Sequence, residues 1–109
     1  MNPSHPLLPP KVRRSLATVG ANIAVARKRR GLTVVMMAER LGVGRDTYGR
    51  LENGDPSVAF GTYAMALFSL GLDAVLHQLA DPASDDTGTL LDLNRLPKRV
   101  RPKRVPQPK

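Results

Sequence analysis

The sequence predicts an all-α domain of five helices, and three observations carry that expectation. From Leu16 to Ala80 the apolar residues recur at steps of three and four, the spacing that lines one face of a helix. Nowhere does apolar-polar alternation run through four residues between turn signals, as a half-buried strand requires. A glycine or an Asp-Pro pair closes each periodic run.

In the first helix Leu16, Val19, Ile23 and Ala26 share the inner face, while Arg13, Arg14, Lys28 and Arg29 lie mostly off it. Gly31 ends that helix as a residue able to turn left-handed. Thr33 offers a side-chain oxygen to cap the second helix, whose inner residues are Met37, Ala38 and Leu41 and whose closing residue is Gly42. Val43 plugs the turn. A third helix runs from about Arg45 to Glu52 with Tyr48 and Leu51 inward, and stops at Asn53-Gly54. Past Asp55-Pro56 a fourth helix carries Tyr63, Met65, Ala66, Leu67 and Leu70 up to Gly71. A fifth carries Leu72, Val75, Leu76 and Leu79 up to Asp81-Pro82.

Prolines crowd both ends of the chain, Pro3, Pro6, Pro9 and Pro10 in front and Pro97, Pro102, Pro106 and Pro108 behind. Residues 1–11 therefore read as a flexible arm, 12–80 as the folded domain, and 81–109 as a hinge, a short apolar element (Leu90, Leu91, Leu93, Leu96) and a basic tail. A unit of that size buries only about 60% of its unfolded-chain surface. The fourth and fifth helices carry more apolar residues than one inner face needs, so a homodimer through them is expected.

The 109 residues hold 17 Lys+Arg against 9 Asp+Glu, a formal net charge of +8, and from Arg95 onward every charge is positive. That layout suits a polyanionic partner. The absence of Cys excludes disulfides, thiolate metal sites and a cysteine nucleophile, and fits a reducing compartment, so a cytoplasmic protein is expected. Apolar runs break well short of the about 18 residues that span a membrane, and no apolar segment opens the chain as a secretion signal would. His5 and His77 stand far apart and no His/carboxylate cluster has ligand spacing, so no metal, cofactor or enzymatic activity is expected. Gly42-Val43-Gly44 lacks the preceding strand of a nucleotide loop, and Asp85, Asp86 and Asp92 lack the alternate spacing of a calcium loop.

From Leu32 to Gly54 the chain reads as helix, glycine turn and helix, which is helix-turn-helix spacing. The residue types follow from the geometry: a small Ala38 lets the two helices cross closely, Gly42 permits the turn, and Val43, Tyr48 and Leu51 lock the second helix on the first. Leu32-Thr33, Ala38, Gly42-Val43 and Leu51-Glu52-Asn53-Gly54 together resemble the lambda-repressor/Cro (XRE) family over about residues 16–72. The resemblance implies a five-helix lambda-repressor-like fold and sequence-specific binding of double-stranded DNA, with the third helix in the major groove. Matching positions imply base contact for Arg45, Asp46 and Arg50, with Thr47 and Gly49 at the groove surface. Arg is the usual bidentate reader of guanine, and Asp can accept from cytosine N4. The resemblance also pairs Arg27 with Glu52 between the first and third helices.

Three positions depart from the family pattern or strain the helix. Where the family usually has a phosphate-binding Gln, this chain has Val34, so backbone N–H groups at Thr33 and Val34, together with Arg29 or Arg40, are expected to hold the phosphates. Gly44 is a weaker cap than Ser or Asp by a few tenths of a kcal/mol. Gly49 costs the helix roughly 1 kcal/mol against Ala, which either close approach of the backbone to DNA or a tolerated surface glycine accounts for.

Farther on, Leu79-Ala80-Asp81-Pro82-Ala83, Gly88, Leu90-Leu91 and Leu96-Pro97-Lys98-Arg99-Val100-Arg101 resemble HipB-like antitoxins, the small regulators that accompany HipA-type toxin kinases. The resemblance implies an autorepressor that binds a palindromic operator as a homodimer and has a HipA-like toxin kinase as partner. The alternative is a stand-alone or phage-derived repressor of the same family. RNA binding is a further reading of the basic tail from Lys98, but that tail contains no aromatic residue to stack on a base.

Overall fold

The computed structural model describes residues 8–99. The Pro-rich arm through residue 7 with His5, the residues from 100 onward, and the side chains of residues 96–99 lie outside the described residues; Lys98 and Arg99, read as the start of the basic tail, have helical backbone. Helices α1 (Pro10–Arg29), α2 (Val34–Leu41), α3 (Arg45–Glu52) and α4 (Phe60–Ser69) are followed by 3-10 turns at Asp73–Gln78 and Pro82–Ser84 and by α5 (Asp86–Arg99). No strand occurs among the described residues. The chain divides into two units, Met1–Leu76 and His77–Lys109.

Within the first unit, α1 starts at Pro10, so Pro10 and Lys11, read from proline content as part of the arm, are helical. Proline suits this position because its fixed φ is already helical and the missing N–H has no partner there in any case. At the far end of α2, Gly42 adopts φ 70°, and the N–H groups of Val43 and Gly42 donate to Ala38 O and Glu39 O at 3.0 and 3.1 Å. The same pair of backbone bonds closes α1 at Gly31, α3 at Gly54 and α4 at Gly71. At the start of α2, Thr33 Oγ1 accepts the Met36 N–H at 3.1 Å while Met36 Sδ receives the Thr33 N–H at 3.4 Å. A thioether thus stands where a capping box usually has Glu or Gln.

The core gathers Ile23 and Ala26 from α1, Met37 and Ala38 from α2, Tyr48 and Leu51 from α3, Val58, and Tyr63, Ala66 and Leu70 around α4. Two expected inner residues, Val19 and Met65, are exposed. The inner face of α1 is instead Gly20, Ile23, Ala26 and Arg27. The reason lies in how closely α1 meets α3: a Cβ on Gly20 would stand 2.5 Å from Glu52 O and 2.6 Å from Leu51 O. From the other side, a Cβ on Gly54 would stand 2.5 Å from Ala17 N. A helix can approach backbone this closely only where no side chain intervenes, so Val19 is displaced from the contact.

The fifth helix expected over Leu72 to Leu79 is a 3-10 turn with no buried residue, and Val75 and Leu79 are exposed. So short a helix holds α geometry only by burying a face. The core closes at Leu70, and of the spaced apolar residues Leu72, Val75, Leu76 and Leu79 beyond it Leu76 alone is half-buried.

In the second unit Ala80 adopts a left-handed φ of 57°, and Asp81 Oδ1 accepts the Ala83 N–H at 2.9 Å. Asp85 Oδ1 accepts the Gly88 N–H at 2.9 Å and caps α5, a helix that includes the expected apolar element and leaves Leu90, Leu91 and Leu93 exposed.

The Gly20 contact gives a stability prediction. Gly20→Ala should lower the unfolding free energy by about 1–3 kcal/mol in urea denaturation, because backbone atoms on both sides cannot yield to a methyl. Helix propensity alone would change stability with the opposite sign, so equal or higher stability would show that α1 and α3 separate without cost.

Candidate nucleic-acid interface

α3 enters from the glycine turn with Gly44 at its N-cap, extended at φ -72° and ψ 161° and without a side-chain cap. The helix then divides lengthwise. Tyr48 and Leu51 are buried and Glu52 is half-buried, whereas Arg45, Asp46 and Arg50 are exposed and Thr47 and Gly49 half-buried. Positions 45, 46, 49 and 50 share one side of a 3.6-residue turn, so the exposed side carries two guanidinium groups, a carboxylate and bare backbone. A Cβ added at Gly49 would meet nothing within 4 Å. Arg50 Nε stands 3.6 Å from Asp46 Oδ2, and its Nη2 donates to Thr47 Oγ1 at 3.4 Å. So exposed an ion pair is worth at most about 1 kcal/mol, and Arg50 can exchange partners. Arg45 has no polar partner among the described residues.

The locked side is built differently. Arg27 Nε donates to Glu52 Oε2 at 2.7 Å and Nη2 to Glu52 Oε1 at 3.2 Å, while Nη1 donates to Leu32 O at 2.9 Å. Tyr48 donates its hydroxyl to Glu52 Oε2 at 2.5 Å. The two charged side chains are only 10% and 13% exposed. Hydrogen bonding to the Glu52 carboxylate holds the Arg27 guanidinium above its ordinary value, against the opposing effect of burial. Burial pushes the Tyr48 phenol well above its ordinary value, and the bond to Glu52 adds to the effect. Both shifts keep the proton on the donor, so the guanidinium and the phenol both remain donors to Glu52. Sequence reading pairs Arg27 with Glu52 but misses Tyr48 as the third member. The available signal is the four-residue step from Tyr48 to Glu52, together with the need of a buried phenol for a partner.

The phosphate-side residues are placed unequally. Arg29 is exposed at the end of α1 and Arg40 in the last turn of α2. Thr33 Oγ1 accepts the cap bond and keeps its O–H to donate, and Val34 packs against the core cluster. With the Thr33 and Met36 N–H groups already donated, the start of α2 has the Val34 and Val35 N–H groups and the Thr33 O–H to offer an anion. Among the described residues no group of three or more His, Cys, Asp or Glu could hold a metal, and no helix is long and apolar enough to cross a membrane.

Residues 18–80 match the family model of a helix-turn-helix domain. No curated protein and no solved structure matches the chain.

Two measurements test the locked side. Glu52→Ala strands Arg27 in a buried site and should cost roughly 3–5 kcal/mol, whereas Arg27→Met combined with Glu52→Leu should cost well under the sum of the single changes. A double-mutant cycle by chemical denaturation reads this directly, and coupling below about 0.5 kcal/mol would mean that the pair holds nothing together. Tyr48 supplies a pH dependence. The unfolded phenol ionises near pH 10 and the folded one only above that, so stability is complete below about pH 10 and is lost as pH rises further. Thermal melts from neutral to alkaline pH should show the decline, and Tyr48→Phe should flatten it. A remainder should persist from Tyr63, whose phenol burial also pushes up and which donates to Asp55 O at 2.9 Å.

Proposed function

Because the chain belongs to the helix-turn-helix domain family, we propose that it is a DNA-binding transcriptional repressor reading a palindromic operator as a homodimer. One observation carries the reading: α3 is held from behind by Tyr48, Leu51 and Glu52 while Arg45, Asp46, Gly49 and Arg50 face outward with no apolar residue among them. Arginine on a helix matches the acceptors of guanine in the major groove. Arg29, Arg40 and the start of α2 would take the phosphates, and the net charge of +8 adds the sequence-independent attraction that duplex binding draws on.

The homodimer is supported by α4. No residue from 57 to 72 is charged, yet Phe60 is 67% and Phe68 62% exposed, and Leu72 and Val75 follow them on the surface. A second copy covering that surface would supply the burial a small core lacks and set two α3 helices to half-sites about 34–36 Å apart. The finer reading is an autorepressing antitoxin of a HipA-like toxin kinase in the cytoplasm. Its support is the resemblance of the C-terminal sequence and the uncovered leucines of α5, an amphipathic helix of the kind that docks in a partner's groove.

Fluorescence anisotropy with a selected operator tests the reading. Arg45→Ala should cost roughly 1–3 kcal/mol on the best site and relax one base position per half-site. Gly49→Ala should move two observables in opposite directions. Unfolding stability should rise by up to about 1 kcal/mol, since the methyl meets open space, and operator affinity should fall because the bare backbone lies on the DNA-facing side. If both variants bind the operator as the parent does, α3 is not the reading helix.

A further inference from the structure

We propose that Asp46 is a positioning residue that holds Arg50 for end-on contact with guanine and thereby sets the base preference where Arg50 meets the duplex. This rests on the reading of α3 as a DNA-recognition helix. An acid on a surface that approaches phosphates weakens binding to any duplex, so its presence there calls for a compensating role. Its place in the first turn of α3 favours the helix N-terminus only modestly, and its side chain is 91% exposed and takes no part in the core.

The geometry supplies the role. Asp46 and Arg50 lie one turn apart, with Arg50 Nε 3.6 Å from Asp46 Oδ2 and Nη2 3.4 Å from Thr47 Oγ1. A guanidinium is a rigid plane whose Nε–H and inner Nη2–H form one edge, while Nη1–H and the outer Nη2–H form the end. Asp46 faces the first edge at ion-pair distance and Thr47 accepts one long hydrogen bond from it. The free end is a two-pronged donor that matches guanine O6 and N7, whereas adenine presents its N6 donor to the same fork. The Asp46 and Thr47 contacts bias the side chain toward that orientation before DNA arrives, so less freedom is lost on forming the contact. Asp46 also works against the wrong contact: if Arg50 swings away to a phosphate, the carboxylate is left unpaired beside the backbone of the DNA. Arg45, with no such partner, lacks this constraint.

The full chain is used to select duplexes from a random pool, and binding to single-base variants is then titrated at several salt concentrations. Parent-selected duplexes should carry one guanine per half-site that Arg50→Ala ceases to select. Asp46→Ala and Asp46→Asn should lower discrimination for that same guanine roughly tenfold, while binding to random duplex becomes stronger. Retention of helical circular dichroism controls for folding. A change of preference at a different base pair would make Asp46 a direct reader and overturn the proposal, as would unchanged discrimination at every position. If the parent selects no sequence, the reading of α3 itself falls and this proposal with it. A selected sequence indifferent to Asp46 removes the proposal alone.

Discussion

The first unit turns on the backbone-to-backbone contact of α1 with the end of α3. Gly20 lies against the carbonyls of Leu51 and Glu52, and Gly54 lies against Leu16 and Ala17, so the two elements meet with no side chain between them. That approach brings Arg27, two turns beyond Gly20 on α1, within a bidentate bond of Glu52. The ion pair and the glycine contact depend on each other. Two charges so little exposed tolerate burial only when the geometry is close and the remaining donors are satisfied. Here Nη1 finds Leu32 O and the carboxylate gains Tyr48. A side chain at position 20 would open the crossing and leave both charges poorly paired.

α2 and α3 are eight residues each, far too short to be stable as isolated helices. Their order is borrowed from this packing and from the turn between them. Gly42 turns the chain left-handed, Val43 closes the last turn of α2, and Met37, Ala38, Tyr48 and Leu51 fill the space behind. Since every core-packing residue of α3 lies on its inner side, the outer side adds little to the fold beyond the charge of Asp46 in the first turn. It can hold a glycine, an acid and two arginines at little cost to the fold.

Much of this was legible beforehand. The glycine terminators, the Thr33 cap, the helix-turn-helix spacing and the inward Tyr48 and Leu51 follow from periodicity and turn chemistry, both of which are local. What escaped is long-range. Gly20 looks like a weak spot in a helix until its neighbour across the crossing is known, and Val19 looks like core for the same reason. The helix expected beyond Gly71 failed because spacing reports only that apolar residues could share a face, and says nothing about whether a surface exists to cover it. The orientation of Arg50 by Asp46 and Thr47 was likewise out of reach, since a one-turn step allows contact without fixing it.

α3 therefore supplies the acid of two acid–arginine pairs with opposite assignments. Glu52 and Arg27 are mostly shielded from water, share two hydrogen bonds and are coupled to a phenol, so separating them would leave a bare charge in a site that cannot solvate it. Asp46 and Arg50 are open to solvent and joined by one long contact, so water can replace either partner and separation costs little. The same chemical pair is a fastening in the first place and an adjustable guide in the second. Burial makes the difference, and burial is decided by which side of α3 meets α1.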